Sequence, residues 1–316
     1  MFIQTSLTVF SSIFQLFLMS LAAGILVRRN VVTPSQIQAL SAVTVNIFLP
    51  CLIVNKTLAG FHPAQFTNWW ILPAAGILIV MIGLLASGLL FRLNPEKTPL
   101  MVLASMQNAV YIILPIGQIL FADQFDRFAL YCFLMVLGLN PMMWSIGKVM
   151  ISKTRQSGIL WQDYITPPNV ATVISMAAVL TGLAHFIPAS VIASIDLLGQ
   201  ATIPLAVFIL GATIGAISFD DMPPLRDTLI VTAVKFFIVP ATVFAVLHYT
   251  RLYVTMPLFC SLMIMQASSP PATNHILIVK RYGGDTQTIS SMMLIQYLLC
   301  ILFMPLWIAA WQYVAG

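Results

Sequence analysis

The feature that most constrains this chain is a helix break placed inside an apolar stretch. Residues 253–279 read as one long, mainly apolar run, yet its centre is Gln266-Ala267-Ser268-Ser269-Pro270-Pro271-Ala272-Thr273-Asn274. Ser followed by Pro is the pattern of an N-cap and a first helical position. The two prolines also remove the helical hydrogen bonds that the carbonyls of Gln266 and Ala267 would accept. Water cannot be the usual remedy here. The chain has 316 residues, 60% hydrophobic and 7% charged, whereas a soluble domain carries about 25% charged residues. With a mean hydropathy of +0.98, it reads as a polytopic membrane protein with almost no soluble part. In hydrocarbon, bare backbone is tolerated only where it is buried in protein or lines a wet cavity. A break at mid-depth is the sequence mark of a carrier's binding site.

A crossing takes roughly 17–25 apolar residues. Ten runs of this kind occur, at 6–27, 35–55, 69–91, 99–121, 128–151, 168–187, 191–217, 228–250, 253–279 and 287–314. Residues 1–5 carry no basic region and no small-residue cleavage site follows, so the first run reads as a retained span. Basic loops stay on the cytoplasmic side. Arg28, Arg29, Arg92, Lys97, Lys148, Lys153, Arg155, Arg226, Lys280 and Arg281 follow odd-numbered runs, against Lys56, Arg127 and Arg251 after even-numbered ones. This predicts a multi-pass protein of the cell (inner) membrane with both termini outside.

The expected fold is therefore all-α, ten transmembrane helices in two five-helix halves, 1–151 and 168–316, joined by a cytoplasmic linker at 152–167. Five crossings per half is odd, so two like halves insert in opposite senses. Paired residues in order support a duplication. Asn46 stands four residues before Pro50, and Gln200 four before Pro204. Pro73 matches Pro240. Met106-Gln107-Asn108-Ala109 matches Met265-Gln266-Ala267-Ser268, and Pro141-Met142-Met143-Trp144 matches Pro305-Leu306-Trp307. An inverted repeat is a recurrent build of secondary transporters, with the site where the repeats meet.

The polar residues of these spans form the candidate site. Pro50 and Pro204 free the carbonyls of Asn46 and Gln200, each of which also has an amide side chain. Pro115 does the same for Tyr111 in the fourth run. The two broken runs together offer Gln107, Asn108, Gln266, Ser268, Ser269, Thr273 and Asn274. Half-helices starting at such breaks present N–H groups and a positive dipole end, which suit a carboxylate better than a cation. Pro270 and Pro271 lack N–H, so Ala272 and Thr273 are the first donors there. Lys235 lies about two helical turns inside the eighth run. Its side chain is expected to snorkel to the cytoplasmic face; turned inward instead, it would attract an anion. Asp123 and Asp196 sit near outer span ends and are expected to be solvated.

Other chemistry is not signalled. Cys51, Cys132, Cys260 and Cys300 are widely separated in apolar runs without metal-ligand spacing. No metal and no cofactor is expected. Enzyme motifs such as His-Glu-x-x-His, Gly-x-Ser-x-Gly or a phosphate loop are missing from the sequence. The net charge of +5 falls almost wholly in short loops, so it does not argue for nucleic acid as a partner.

The chain resembles a bacterial member of the auxin efflux carrier family, related to plant PIN-FORMED proteins, over nearly its whole length. The resemblance rests on Asn46-Ile47-Phe48-Leu49-Pro50, on Gln107-Asn108 through Pro115, and most specifically on Ser269-Pro270-Pro271-Ala272-Thr273-Asn274 leading to Val279-Lys280-Arg281-Tyr282-Gly283-Gly284-Asp285. It implies two inverted repeats whose broken spans four and nine cross. It also implies a scaffold of spans one, two, six and seven, a transport domain from the rest, an elevator-type cycle and a homodimer. The implied substrate is a small organic anion: a dicarboxylate such as malonate or malate, or an auxin-like carboxylate. Asn108 matches a crossover asparagine associated with carboxylate binding. Gln107 departs from the plant pattern, which has proline there, and the long loop of the plant proteins is missing. A sodium-coupled symporter like the bile-acid carriers is the alternative, using freed carbonyls as cation ligands. A non-transporting membrane receptor or scaffold is a third reading.

Overall fold

The computed structural model describes residues 2–63, 68–152, 165–216, 222–282 and 285–315. Most of the expected linker falls outside the described residues. Those described form helices α1 (Phe2–Arg28), α2 (Pro34–Val43), α3 (Leu49–Gly60), α4 (Ile71–Leu90), α5 (Thr98–Ser105), α6 (Ile113–Leu120), α7 (Phe125–Met142), α8 (Lys148–Ile151), α9 (Pro167–Leu180) and α10 (Ala189–Gln200). The order continues with α11 (Thr202–Gly215), α12 (Leu225–Ala233), α13 (Val239–Thr250), α14 (Pro257–Ala267), α15 (His275–Tyr282) and α16 (Thr286–Ala315). Among the described residues, six helical stretches are long and apolar enough to cross a membrane: Pro34–Gly60, Ile71–Leu90, Ala122–Ile151, Ala189–Gly215, Leu225–Thr250 and Thr286–Ala315. Shorter apolar helices cover Phe14–Arg28, Pro167–Leu180 and Pro257–Ala267.

Prolines explain most irregularities. Pro50 and Pro240 each follow a π turn, at Thr44–Phe48 and Val234–Ile238. The wider turn accommodates a ring that cannot donate to the fourth carbonyl back. Pro240 frees the Phe236 carbonyl, and the Trp307 indole takes it at 2.7 Å. Pro204 stands just past a turn at Ala201 that separates α10 from α11. The start of α2 carries a capping box: the Thr33 hydroxyl accepts from Gln36 N–H while the Gln36 side chain accepts from Thr33 N–H.

The helices pack as two groups. In the first, α1 lies along α11, and α3 along α9 and α10. Small residues bring α1 and α11 close: a Cβ on Gly211 would lie 2.0 Å from the Ser20 carbonyl oxygen, and one on Gly215 would lie 2.4 Å from Gly24 Cα. Ser20-x-x-x-Gly24 thus faces Gly211-x-x-x-Gly215, the spacing that lets membrane helices approach backbone to backbone. The second group holds α4, α5, α7, α13, α14 and α16 around the main buried core. The two groups meet where α1 touches α6 and α16, and where α3 and α9 touch α7.

Candidate functional site

Two helix ends build the site. α5 stops because Met106 turns extended, at φ −84° and ψ 130°, and helix resumes only at Ile113. α14 stops at Ala267, and helix resumes at His275. The unwound stretches meet antiparallel, with Gln107 bridging Pro271. Asn108 N–H donates to the Pro270 carbonyl at 2.8 Å, and Ala272 N–H to the Met106 carbonyl at 3.3 Å. Each break thus satisfies part of the bare backbone of the other, as hydrocarbon demands.

The expected N-cap at Ser269 is not formed. The Ser268 hydroxyl donates back to the Ile264 carbonyl at 2.7 Å, and the Ser269 hydroxyl to the Gln266 carbonyl at 2.9 Å. Both side chains close the end of α14, whose last carbonyls have no helical donors. Pro270 and Pro271 are held extended by the facing break, which delays the next helix to His275. Ala272 N–H, expected to be free for a ligand, is spent on the same pairing.

Lys235 does not snorkel. It sits in the π turn before Pro240, fully buried. Its nitrogen donates to the Ala104 carbonyl at 3.3 Å, the Met106 carbonyl at 3.0 Å and Gln107 Oε1 at 2.6 Å. Three acceptors match the three protons of an ammonium. It closes the C-terminal end of α5, where orphan carbonyls and the negative end of the dipole gather. Those acceptors at depth hold it better than a stretched path to the surface would. No carboxylate lies against it among the described residues.

Beside the crossing is a cavity of about 260 Å³. Its polar lining is Gln107, Asn108, Asn140, Thr166, Thr273 and Asn274, with Tyr111; the apolar lining includes Val45, Leu49, Val136, Leu139, Met143 and Trp144, and no charged side chain contributes among the described residues. Gln107 gives its oxygen to Lys235, which leaves Nε2 buried without a partner. Asn108 Oδ1 accepts from Tyr111 N–H at 3.0 Å, and its Nδ2 donates to the Tyr297 hydroxyl at 2.8 Å. Gln266 Nε2 reaches the Ala109 carbonyl at 3.0 Å.

Of the expected site residues, Gln107, Asn108, Thr273 and Asn274 meet at this cavity, with Lys235 directly behind Gln107. Ser268 and Ser269 are buried in their capping role, and Pro270 and Pro271 form the crossing itself. Asn46 and Gln200 face away. Asn46 Nδ2 donates to the Ala42 carbonyl at 2.7 Å, and Gln200 Nε2 to Asp196 at 2.8 Å; both residues are exposed. Asp196 also accepts from Asn55, so it ties α3 to α10 rather than being simply solvated. Pro50 and Pro204 mark kinks in these helices, outside the cavity lining. Pro115 lies across the crossing, in a small apolar cavity of about 50 Å³ that Tyr111 and Tyr297 also line.

Thr166, Asn140 and Tyr297 were not among the expected site residues. Asn140 lines the cavity and donates to Asn169 of α9 at 3.2 Å; its place directly before Pro141 was the available hint. Tyr297 contacts both breaks from α16, and no local pattern marks it.

A family described as membrane transport protein matches residues 8–160 and again residues 158–308. An uncharacterized transporter of Methanocaldococcus jannaschii is 24% identical over 276 residues, covering 85% of this chain and 87% of the relative. On these matches the chain belongs to the auxin efflux carrier family of membrane transport proteins, and it is a membrane transporter, not an enzyme.

Proposed function

We propose that this transporter is a secondary carrier of small organic anions, carboxylates above all. One arrangement carries the reading: Gln107 lines an uncharged cavity, Lys235 holds its oxygen, and its buried Nε2 is left without a partner. The amide hands the positive charge on to whatever enters. With one cation and no opposing carboxylate against it, a monovalent anion brings the site to neutrality, and a dicarboxylate such as malonate or malate overshoots. The volume is at or below the small end of ligand pockets, about 300–1,000 Å³. The apolar wall from Val45 to Trp144 suits a compact hydrocarbon body, as in an auxin-like carboxylate.

The wider proposal follows from sequence and family together. Ten crossings form two inverted five-helix repeats with both termini outside. Spans one, two, six and seven form a scaffold and a homodimer interface; the remaining spans move as an elevator and carry the crossing with them. The packing of α1 along α11, and of α3 along α9 and α10, supports the division. Sodium coupling has no such support. The oxygens gathered at the end of α5, which a hard cation would need, are already engaged by Lys235.

The test is equilibrium binding to purified protein, with and without sodium. Benzoate and butyrate are compared with malonate and with the neutral benzamide and butyramide. The monocarboxylates are expected to bind most tightly, without sodium. Neutral analogues binding as tightly as their carboxylates would overturn the anion-carrier reading.

A further inference from the structure

Tyr297 belongs to neither break yet joins both. It is buried, 4% exposed. Its hydroxyl donates to the Pro271 carbonyl at 2.8 Å and accepts from Asn108 Nδ2 at 2.8 Å. A phenol has one proton, and a carbonyl only accepts. The proton is therefore committed to Pro271, and only lone pairs face the first break. That fixes which end of the Asn108 carboxamide points where. Its NH₂ must turn toward Tyr297, and its oxygen toward Tyr111 N–H at 3.0 Å. The flipped amide would set oxygen against lone pairs and NH₂ against an N–H, in a place water does not relieve. One Asn108 amide proton stays free of protein partners among the described residues, on a residue that lines the cavity.

We propose that Tyr297 is a positioning residue for anion recognition: it couples the second break to the first and orients Asn108 so that the cavity meets an N–H and not a carbonyl oxygen. The inference rests on the anion-carrier reading above. In that reading Asn108 and Gln107 present two adjacent amide donors, one oriented by Tyr297 and the other by Lys235.

The test uses the full chain in four forms: unaltered, Tyr297→Phe, Asn108→Ala and both together. Each is titrated with benzoate and butyrate. Tyr297→Phe keeps the ring and removes only the hydroxyl, and is expected to weaken carboxylate binding about tenfold. In the Asn108→Ala background the same change is expected to cost nothing further, because Tyr297 acts through Asn108. A tenfold loss that persists in that background means the hydroxyl only holds the Pro271 backbone, and it overturns the proposal. So does unchanged affinity in the first background. A second readout needs no ligand and separates this proposal from the anion reading: an experimental structure of Tyr297→Phe. The Asn108 carboxamide is expected to leave Tyr111 N–H or to become disordered; an unchanged carboxamide overturns the positioning role even if no carboxylate binds. Should Tyr297→Phe not be recovered folded, site-specific 3,5-difluorotyrosine keeps the ring and makes the oxygen a poorer acceptor. Weaker binding then supports the role, and unchanged binding refutes it.

Discussion

Replacing Lys235 with methionine separates charge from architecture at the crossing. The change keeps most of the side-chain volume and removes three donors. Of the three acceptors, the Met106 carbonyl keeps Ala272 N–H, and Gln107 is freed to rotate. The Ala104 carbonyl alone is left without a partner, since Asn108 N–H, its helical donor, goes to Pro270. One buried orphan acceptor costs about 1–3 kcal/mol. Methionine also relieves the desolvation of a buried charge, which offsets part of that cost. The folded protein is therefore expected to survive with a modestly lower melting temperature. Binding is expected to change much more. Without the ammonium, the Gln107 amide loses both its polarisation and its orientation. A hydrogen bond to a charged partner is worth roughly 1.5–3 kcal/mol, or about ten- to a hundredfold in affinity. The assay is titration of Lys235→Met with benzoate and with benzamide. Benzoate is expected to lose affinity while benzamide changes little, so discrimination between the two collapses. Equal affinity of Lys235→Met and the unaltered protein for benzoate would refute the relay through Gln107.

Asn108→Ala is expected to weaken carboxylate binding by about ten- to a hundredfold, whereas Ser269→Ala, which loses only a cap on α14, lowers thermal stability by about 0.5–1.5 kcal/mol and leaves affinity in place; titration with parallel melting curves distinguishes them. Gly211→Ala places a Cβ 2.0 Å from the Ser20 carbonyl oxygen and is expected to cost about 1–3 kcal/mol through forced separation of α1 and α11; an unchanged melting temperature in detergent would show that the contact is not tight in the membrane. For orientation, a cysteine at His185 is expected to react with an impermeant reagent from outside, and one at Arg92 only after the membrane is opened. The reverse pattern would sink the assigned topology.

The breaks were legible because proline acts locally. It removes a donor and clashes with the preceding turn whatever surrounds it, so Pro270 and Pro271 announce an interruption without any tertiary knowledge. What the interruption does with its polar groups is a tertiary matter. Ser269 before Pro270 has the form of an N-cap, yet its hydroxyl answers the nearer demand, the exposed carbonyls ending α14. Asn46 and Gln200 were placed at the site because each precedes a proline by one turn. Their side chains are instead satisfied within a turn of their own helices. Spacing shows where a carbonyl is freed; it does not show which way the adjacent side chain turns.

Lys235 and Tyr297 mark the far limit of local reading. A lysine two turns inside a span is compatible with snorkelling until one knows that the end of α5 stands beside it. A tyrosine in α16 has no periodic or motif signal, because its partners are 189 and 26 residues away in the chain. Both side chains do the same kind of work from opposite partners. Lys235 donates hydrogen bonds to the carbonyl end of α5 and to the Gln107 oxygen; the Tyr297 hydroxyl accepts one from Asn108 and donates one to the second break. Between them, the two adjacent amides of the first break are held by groups with opposite hydrogen-bonding demands, so each has one allowed orientation. Under the proposed anion-carrier reading, neither amide then needs to reorganise for an arriving carboxylate, and such preorganised donors discriminate charge best in a cavity that carries no charge of its own.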